Sequence, residues 1–138
     1  MMSREVELLR TIGENSMRRI ADELRADSSR ISVKGTLNAG SWSNDSGIVT
    51  SYLSYYPSDD RSQESVDAVI TVMPVGQAAD GLKLTADISR SDGEVLADIA
   101  ECEIRSGTLD ELFEEANRAY QTASQDIATR LKALLLAG

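Results

Sequence analysis

The chain of 138 residues contains no histidine and a single cysteine, Cys102. Without histidine it lacks the most common general base, the usual activator of serine and cysteine nucleophiles, and the most common metal ligand. Glu101 and Glu103 flank Cys102, and their negative charges disfavour a thiolate. The sequence therefore predicts a buried structural cysteine. One cysteine excludes an intramolecular disulfide, which is typical of a reducing, cytoplasmic location.

Carboxylates remain as candidates for acid–base chemistry, since the chain has 23 acidic residues. Asp98, Glu101 and Glu103 share one predicted strand, and their candidate partners across a sheet are Asp67 and Asp87. Paired carboxylates can divide the roles of acid and base, but in so acidic a chain such pairs also arise by chance. Neither GxGxxG nor GxxxxGK followed by Ser or Thr occurs. We therefore predict no catalytic residue, no cofactor and no metal site.

The formal net charge of −9 argues against nucleic acid and anionic membrane surfaces as partners. Most of the excess negative charge lies in residues 29–106, which hold 12 acidic and 6 basic residues. The simpler interpretation of this charge is solubility and protection of the sheet edges. The functional interpretation is a surface that attracts a basic protein partner. The charged N-terminus does not resemble a signal peptide, and no run approaches the ~20 apolar residues that span a bilayer. These features predict a cytoplasmic protein.

The spacing of apolar residues predicts the elements that position these groups. Steps of three and four residues predict helices over 3–26 and 108–136. Alternation of apolar and polar residues predicts strands over 31–38, 47–56, 65–75, 81–90 and 94–104. The run 39–46 is rich in turn residues and is predicted to be a loop. The last strand changes phase between Ile99 and Ala100, which predicts a β-bulge there.

Short connections between successive strands predict an antiparallel meander. The expected fold is a single α+β domain over 1–138, in the order α-β-β-β-β-β-α. We expect a two-layer sandwich with the N-terminal helix and the long C-terminal helix on one face of the sheet. The C-terminal helix is predicted to bury an apolar stripe against strands one, three and four. The stripe consists of Leu112, Phe113, Ala116, Tyr120, Ala123, Ile127 and Leu131.

Such a sandwich leaves the other face of the sheet uncovered. The phase of strand 47–56 stays open, because Val49, Leu53 and Tyr55 compete with Ile48, Tyr52 and Tyr56 for the inward side. In either phase some large apolar side chains are left on the uncovered face, which favours an interface. The predicted partner-binding residues are Trp42, Tyr52, Tyr56, Val69 and Met73.

In size, charge and layout the chain resembles small secretion chaperones and toxin-neutralising immunity proteins. This resemblance implies a small acidic protein that binds another protein. We therefore predict a non-catalytic protein-binding module, chaperone-, adaptor- or immunity-like. It would act through the open sheet face or an edge strand, as a homodimer. The alternative is a small-molecule-binding protein or carboxylate-dependent enzyme, with a pocket between helices and sheet near Tyr120, Asp98 and Glu101.

Overall fold

One antiparallel sheet carries two helices on one of its faces. The computed structural model describes residues 3–26, 36–56, 65–75, 81–105 and 108–137. Its elements are α1 (Ser3–Ala26), β1 (Thr36–Ser43), β2 (Val49–Tyr56), β3 (Val66–Val75), β4 (Gly81–Arg90), β5 (Val95–Arg105) and α2 (Leu109–Ala137). Each strand pairs with its neighbours in the chain, in the order β1-β2-β3-β4-β5. The predicted α+β class and the order of elements are confirmed.

The two helices divide the inner face of the sheet between them. α1 packs on β1 and β2, whereas α2 packs on β4 and β5 with a smaller contact on β3. The predicted packing of α2 on strand one is therefore wrong, because α1 occupies that half of the sheet. Within the described part of the chain, neither helix combines the length and the apolar character needed to cross a lipid bilayer.

The core consists of aliphatic side chains from both helices and from alternate residues of the strands. Most of the stripe predicted on α2 is buried, and Phe113 is half-buried. The buried members are Leu112, Ala116, Tyr120, Ala123, Ile127 and Leu131. α2 begins where the Thr108 hydroxyl accepts a hydrogen bond from the Glu111 amide at 3.2 Å, which is a typical helix N-cap.

β1 lies further along the chain than the sequence predicts. It spans Thr36–Ser43, so the prediction of a loop is wrong for 39–43, and the predicted strand residues 31–35 lie outside the described residues. Pairing with β2 along this whole length outweighs the low strand propensity of the small residues. Gly40 has a further role, because a Cβ atom there would lie 2.6 Å from the Tyr52 hydroxyl. The missing side chain thus makes room for the Tyr52 ring.

The structure settles the phase of β2. Val49, Leu53 and Tyr55 are buried on the side of the helices. Tyr52 and Tyr56 alternate with them and therefore lie on the opposite face.

Two register shifts interrupt the pairing of β5 with β4. The pairs on either side of the first shift are Ala86 with Ala100 and Asp87 with Asp98, so Ile99 is the extra residue and the predicted bulge is confirmed. A second shift leaves Leu96 as an extra residue, and the sequence did not predict it. Because side chains alternate between faces, the bulge at Ile99 moves Asp98 out of the inward-facing series and opposite Asp87.

Candidate functional site

The face of the sheet opposite the helices is not covered by any described element. Its residues alternate with the buried core residues along each strand. On β3 and β4 they include Thr71, Lys83 and Ser89. We call this surface the open face.

All five predicted partner-binding residues lie together on the open face. They line a shallow depression of about 700 Å³ across β1, β2 and β3. The residues are Trp42, Tyr52, Tyr56, Val69 and Met73, which we call the aromatic patch. Tyr52 and Val69 are direct cross-strand partners, and Trp42 is opposite Thr50. The structure therefore places in one site residues that lie up to 31 positions apart in the sequence.

Small polar residues lie beneath the large side chains of the aromatic patch. Thr50 is 7% exposed and Ser54 is 9% exposed, although no helix covers them. Their neighbours on the open face are Trp42, Tyr52 and Tyr56, which are large enough to cover them. Trp42 itself is 49% exposed. The aromatic patch is thus a packed apolar surface whose outer side contacts solvent.

The other half of the open face is negatively charged. Four carboxylates lie there on β4 and β5: Asp87, Asp98, Glu101 and Glu103, which we call the acidic strip. Lys83 Nζ lies 3.1 Å from Glu101 Oε1, and Arg105 Nε lies 3.6 Å from Glu103 Oε2. Both glutamates are therefore neutralised in part by cations on β4 and β5.

The two aspartates of the acidic strip face each other without such compensation. In the part of the chain that the structure describes, neither Asp87 nor Asp98 forms an ion pair. Burial, and then the negative charge of Asp98, raise the pKa of Asp87 above its ordinary value. Like charges directly opposite each other in a sheet destabilise it. This pair therefore opposes folding of the isolated chain at neutral pH.

The structure does not assemble the alternative site predicted near Tyr120. Tyr120 is fully buried between the helices and the sheet, whereas Asp98 and Glu101 lie on the open face. Asp67, the other predicted carboxylate partner, accepts hydrogen bonds at 3.2 Å from the Ser65 hydroxyl. Among the described residues, no three His, Cys, Asp or Glu side chains converge in a way that could hold a metal ion.

Two arginines of α1 protect the outer edge of β1. Arg10 Nη2 donates to the carbonyl oxygen of Ser41 at 3.3 Å, and Arg25 Nη2 donates to that of Leu37 at 3.2 Å. Unpaired carbonyls on an edge strand are the groups that an added strand would use. Sequence reasoning missed this contact, because nothing in the local pattern links α1 to the outer edge of β1.

The opposite edge is formed by β5. Its two bulges and its charged residues hinder pairing with another strand. Cys102 is exposed on this strand, so the prediction of a buried cysteine is wrong. The reason is the position of β5 at the edge of the sheet, where α2 covers only part of its length.

Three residues of the core form a contact that the sequence did not predict. A Cβ atom on Gly13 would lie 1.8 Å from Ser51 Oγ and 3.2 Å from Tyr120 Cε1. Gly13 therefore lets α1 approach the sheet closely. The hydroxyls of Ser51 and Tyr120 are buried, and neither makes a hydrogen bond of good geometry among the described residues. Burial raises the pKa of Tyr120 well above its ordinary value, and the nearby Ser51 hydroxyl offsets part of the increase.

Comparison of this chain with protein-family models, with curated proteins and with solved structures finds no match. The geometry of the open face is therefore the basis on which a function can be proposed. The resemblance in layout to secretion chaperones and immunity proteins stays a prediction.

Proposed function

We propose that this chain is a non-catalytic protein-binding module that holds a partner protein on the open face of its sheet. The observation that carries the proposal is the aromatic patch, a group of large apolar side chains on the side without helices. They lie in a depression that Thr50, Asp67 and Thr71 also line. Apolar surfaces of this kind, rimmed by polar residues, commonly mark protein interfaces. Tryptophan and tyrosine are also among the residues enriched where binding energy is concentrated.

The edges of the sheet are poorer docking sites than its face. Arg10 and Arg25 hold outward carbonyls of β1, so a strand added there would have to displace both arginines. At the other edge, the bulges of β5 interrupt the regular ladder that a new strand requires. The sequence allows docking either on the open face or on an edge strand, and these contacts favour the open face.

The size of the aromatic patch favours a short segment of a partner protein. β1 and β2 are eight residues long, so three strands spaced ~4.8 Å apart span about 400 Å². A stable interface between two folded proteins buries about 800 Å² on each side. A homodimer, as the sequence predicts, would need most of the open face, including the acidic strip.

Trp42 and Leu8 provide a matched pair of variants that test the proposal. Both are large apolar residues, 49% and 47% exposed, but Leu8 lies on α1, away from the open face. The chain and its Trp42→Ala and Leu8→Ala variants are used to capture proteins from a native lysate. A photo-cross-linking residue at Thr71, inside the depression, identifies what touches the face. We expect Trp42→Ala to reduce capture severalfold and Leu8→Ala to leave it unchanged.

Sedimentation velocity of the purified chain at micromolar concentration examines the homodimer directly. A dimer that Trp42→Ala dissociates and Leu8→Ala preserves would make a second copy the occupant of the open face. The proposal would be contradicted if the Trp42→Ala variant captured as much partner as the wild type and the cross-linking residue at Thr71 captured no protein.

A further inference from the structure

We infer that the occupant of the open face is a protein segment with an apolar end and a cationic end, lying across the strands. The apolar end packs on the aromatic patch, and the lysines or arginines of the other end lie over the acidic strip. This inference rests on the proposed function and specifies the chemistry of the partner.

The arrangement of the two surfaces supports an orientation across the strands. Tyr52, Val69, Asp87 and Asp98 are successive cross-strand partners on β2, β3, β4 and β5. Strands lie ~4.8 Å apart, so the row passes from apolar to acidic within about 14 Å. A segment running along the strands would contact either the aromatic patch or the acidic strip, whereas a segment running across them contacts both.

The charges of the open face indicate what the cationic end would neutralise. Glu101 and Glu103 already have Lys83 and Arg105 as partners. Asp87 and Asp98 have no ion pair among the described residues, and they repel each other. A lysine or arginine placed between them would relieve this repulsion and gain two favourable interactions. Asp87 is the direct neighbour of Val69 in the patch, so apolar and ionic contacts can form side by side.

A second copy of the chain supplies the wrong charge for this site. The net charge is −9, and the cations of the open face that the structure describes are engaged with its own glutamates. Two open faces in contact would bring further carboxylates toward Asp87 and Asp98. Charge complementarity therefore favours a basic segment over self-association.

Three synthetic peptides test the inference. Each is about twelve residues long, since that length of helix spans about 18 Å, close to the width of the sheet. The first half carries leucine and alanine, and the second half carries lysine, glutamine or glutamate at matched positions. Trp42 is the single tryptophan of the chain and lies in the aromatic patch, so its fluorescence reports binding of these tryptophan-free peptides.

We expect the lysine peptide to bind most tightly and the glutamate peptide least. Val69→Thr should weaken all three by about fivefold, because it replaces an apolar methyl group by a hydroxyl. The double variant Asp87→Asn with Asp98→Asn should weaken the lysine peptide by about three- to thirtyfold and leave the glutamine peptide unchanged. These substitutions remove a repulsion, so lost binding cannot be attributed to unfolding.

A charge-matched control distinguishes the effect of the acidic strip on binding from the effect of the protein's net charge. Glu115→Gln with Asp126→Asn removes two charges from exposed positions on α2, and should change lysine-peptide binding by less than about twofold. If this control weakens binding as much as the strip variant, the inference is overturned. It is also overturned if the glutamine peptide binds as tightly as the lysine peptide, although the proposed function then stands. If no peptide changes Trp42 fluorescence, the proposed function fails together with the inference.

Discussion

Replacing Asp87 by asparagine should stabilise the folded chain at neutral pH. Asp87 and Asp98 lie directly opposite each other on β4 and β5, and the repulsion between them is present only in the folded state. Cross-strand charge pairs change stability by about 0.2–1 kcal/mol. For a domain of this size that range corresponds to an increase of about 1–4 °C in Tm. Thermal unfolding followed by circular dichroism measures the increase.

The stability difference between Asp87→Asn and the wild type should depend on pH. Asp87 titrates near 3.8 in the unfolded chain, and burial and Asp98 raise its pKa in the folded chain. Between these two values the folded state binds more protons, so the wild type gains stability as the pH falls through the raised pKa. The advantage of Asp87→Asn should therefore be complete at pH 7. It should shrink as the pH falls through the raised pKa of Asp87 and disappear below the unfolded value of 3.8, where the carboxyl is protonated in both states.

A double-mutant cycle isolates the repulsion from the burial of Asp87. Asp98→Asn removes the repulsion alone, so it should stabilise less than Asp87→Asn. The double variant should be less stable than the sum of the two effects predicts, because either substitution already removes the repulsion. Glu115→Gln on α2 is the control for a general change in net charge. A Tm at pH 7 that is unchanged or lower in Asp87→Asn would refute this account of the acidic strip.

Three further substitutions test the packing that supports the open face. Gly13→Ala should destabilise the chain by about 1–3 kcal/mol in chemical denaturation, because the new Cβ would clash with Ser51 Oγ. Adding Ser51→Gly should restore part of the lost stability. If the double variant recovers none of it, the contact is contradicted. Tyr120→Phe should leave stability unchanged or raise it, since the buried hydroxyl has no well-formed hydrogen bond among the described residues; a loss of about 1 kcal/mol would reveal a partner. Thr108→Ala should cost about 1 kcal/mol through loss of the cap to Glu111, and Thr108→Ser should retain most of that stability.

Local patterns in the sequence predict most of the secondary structure. They fail where pairing with a strand that is distant in the sequence determines the conformation. The alternation of Leu82, Leu84, Ala86 and Ile88 identifies β4 without any reference to its neighbours, because one face of that strand is buried along its whole length. Gly40 and Ser41 carry turn propensity, yet they pair with Tyr52 and Ser51. No feature within 39–43 reveals that a tyrosine ring on another strand needs the space above Gly40.

The candidate site, like the secondary structure, is predicted only in part by the sequence. The five residues of the aromatic patch follow from the sequence, because large apolar side chains remain after the inward face of the sheet is filled. The opposition of Asp87 and Asp98 depends on the bulge at Ile99. The sequence predicts the bulge, but the partner that it brings opposite Asp87 depends on the register between two strands.

By itself the sequence determined the element order, the single helical layer and the residues left over for the open face. These follow from hydrophobic periodicity, which is a local property of the chain. Tertiary structure alone decided which helix covers which strands, and that Arg10, 31 residues from Ser41, closes the edge of β1. Such contacts join side chains that are distant in the chain, so they exist only once the helices have docked on the sheet.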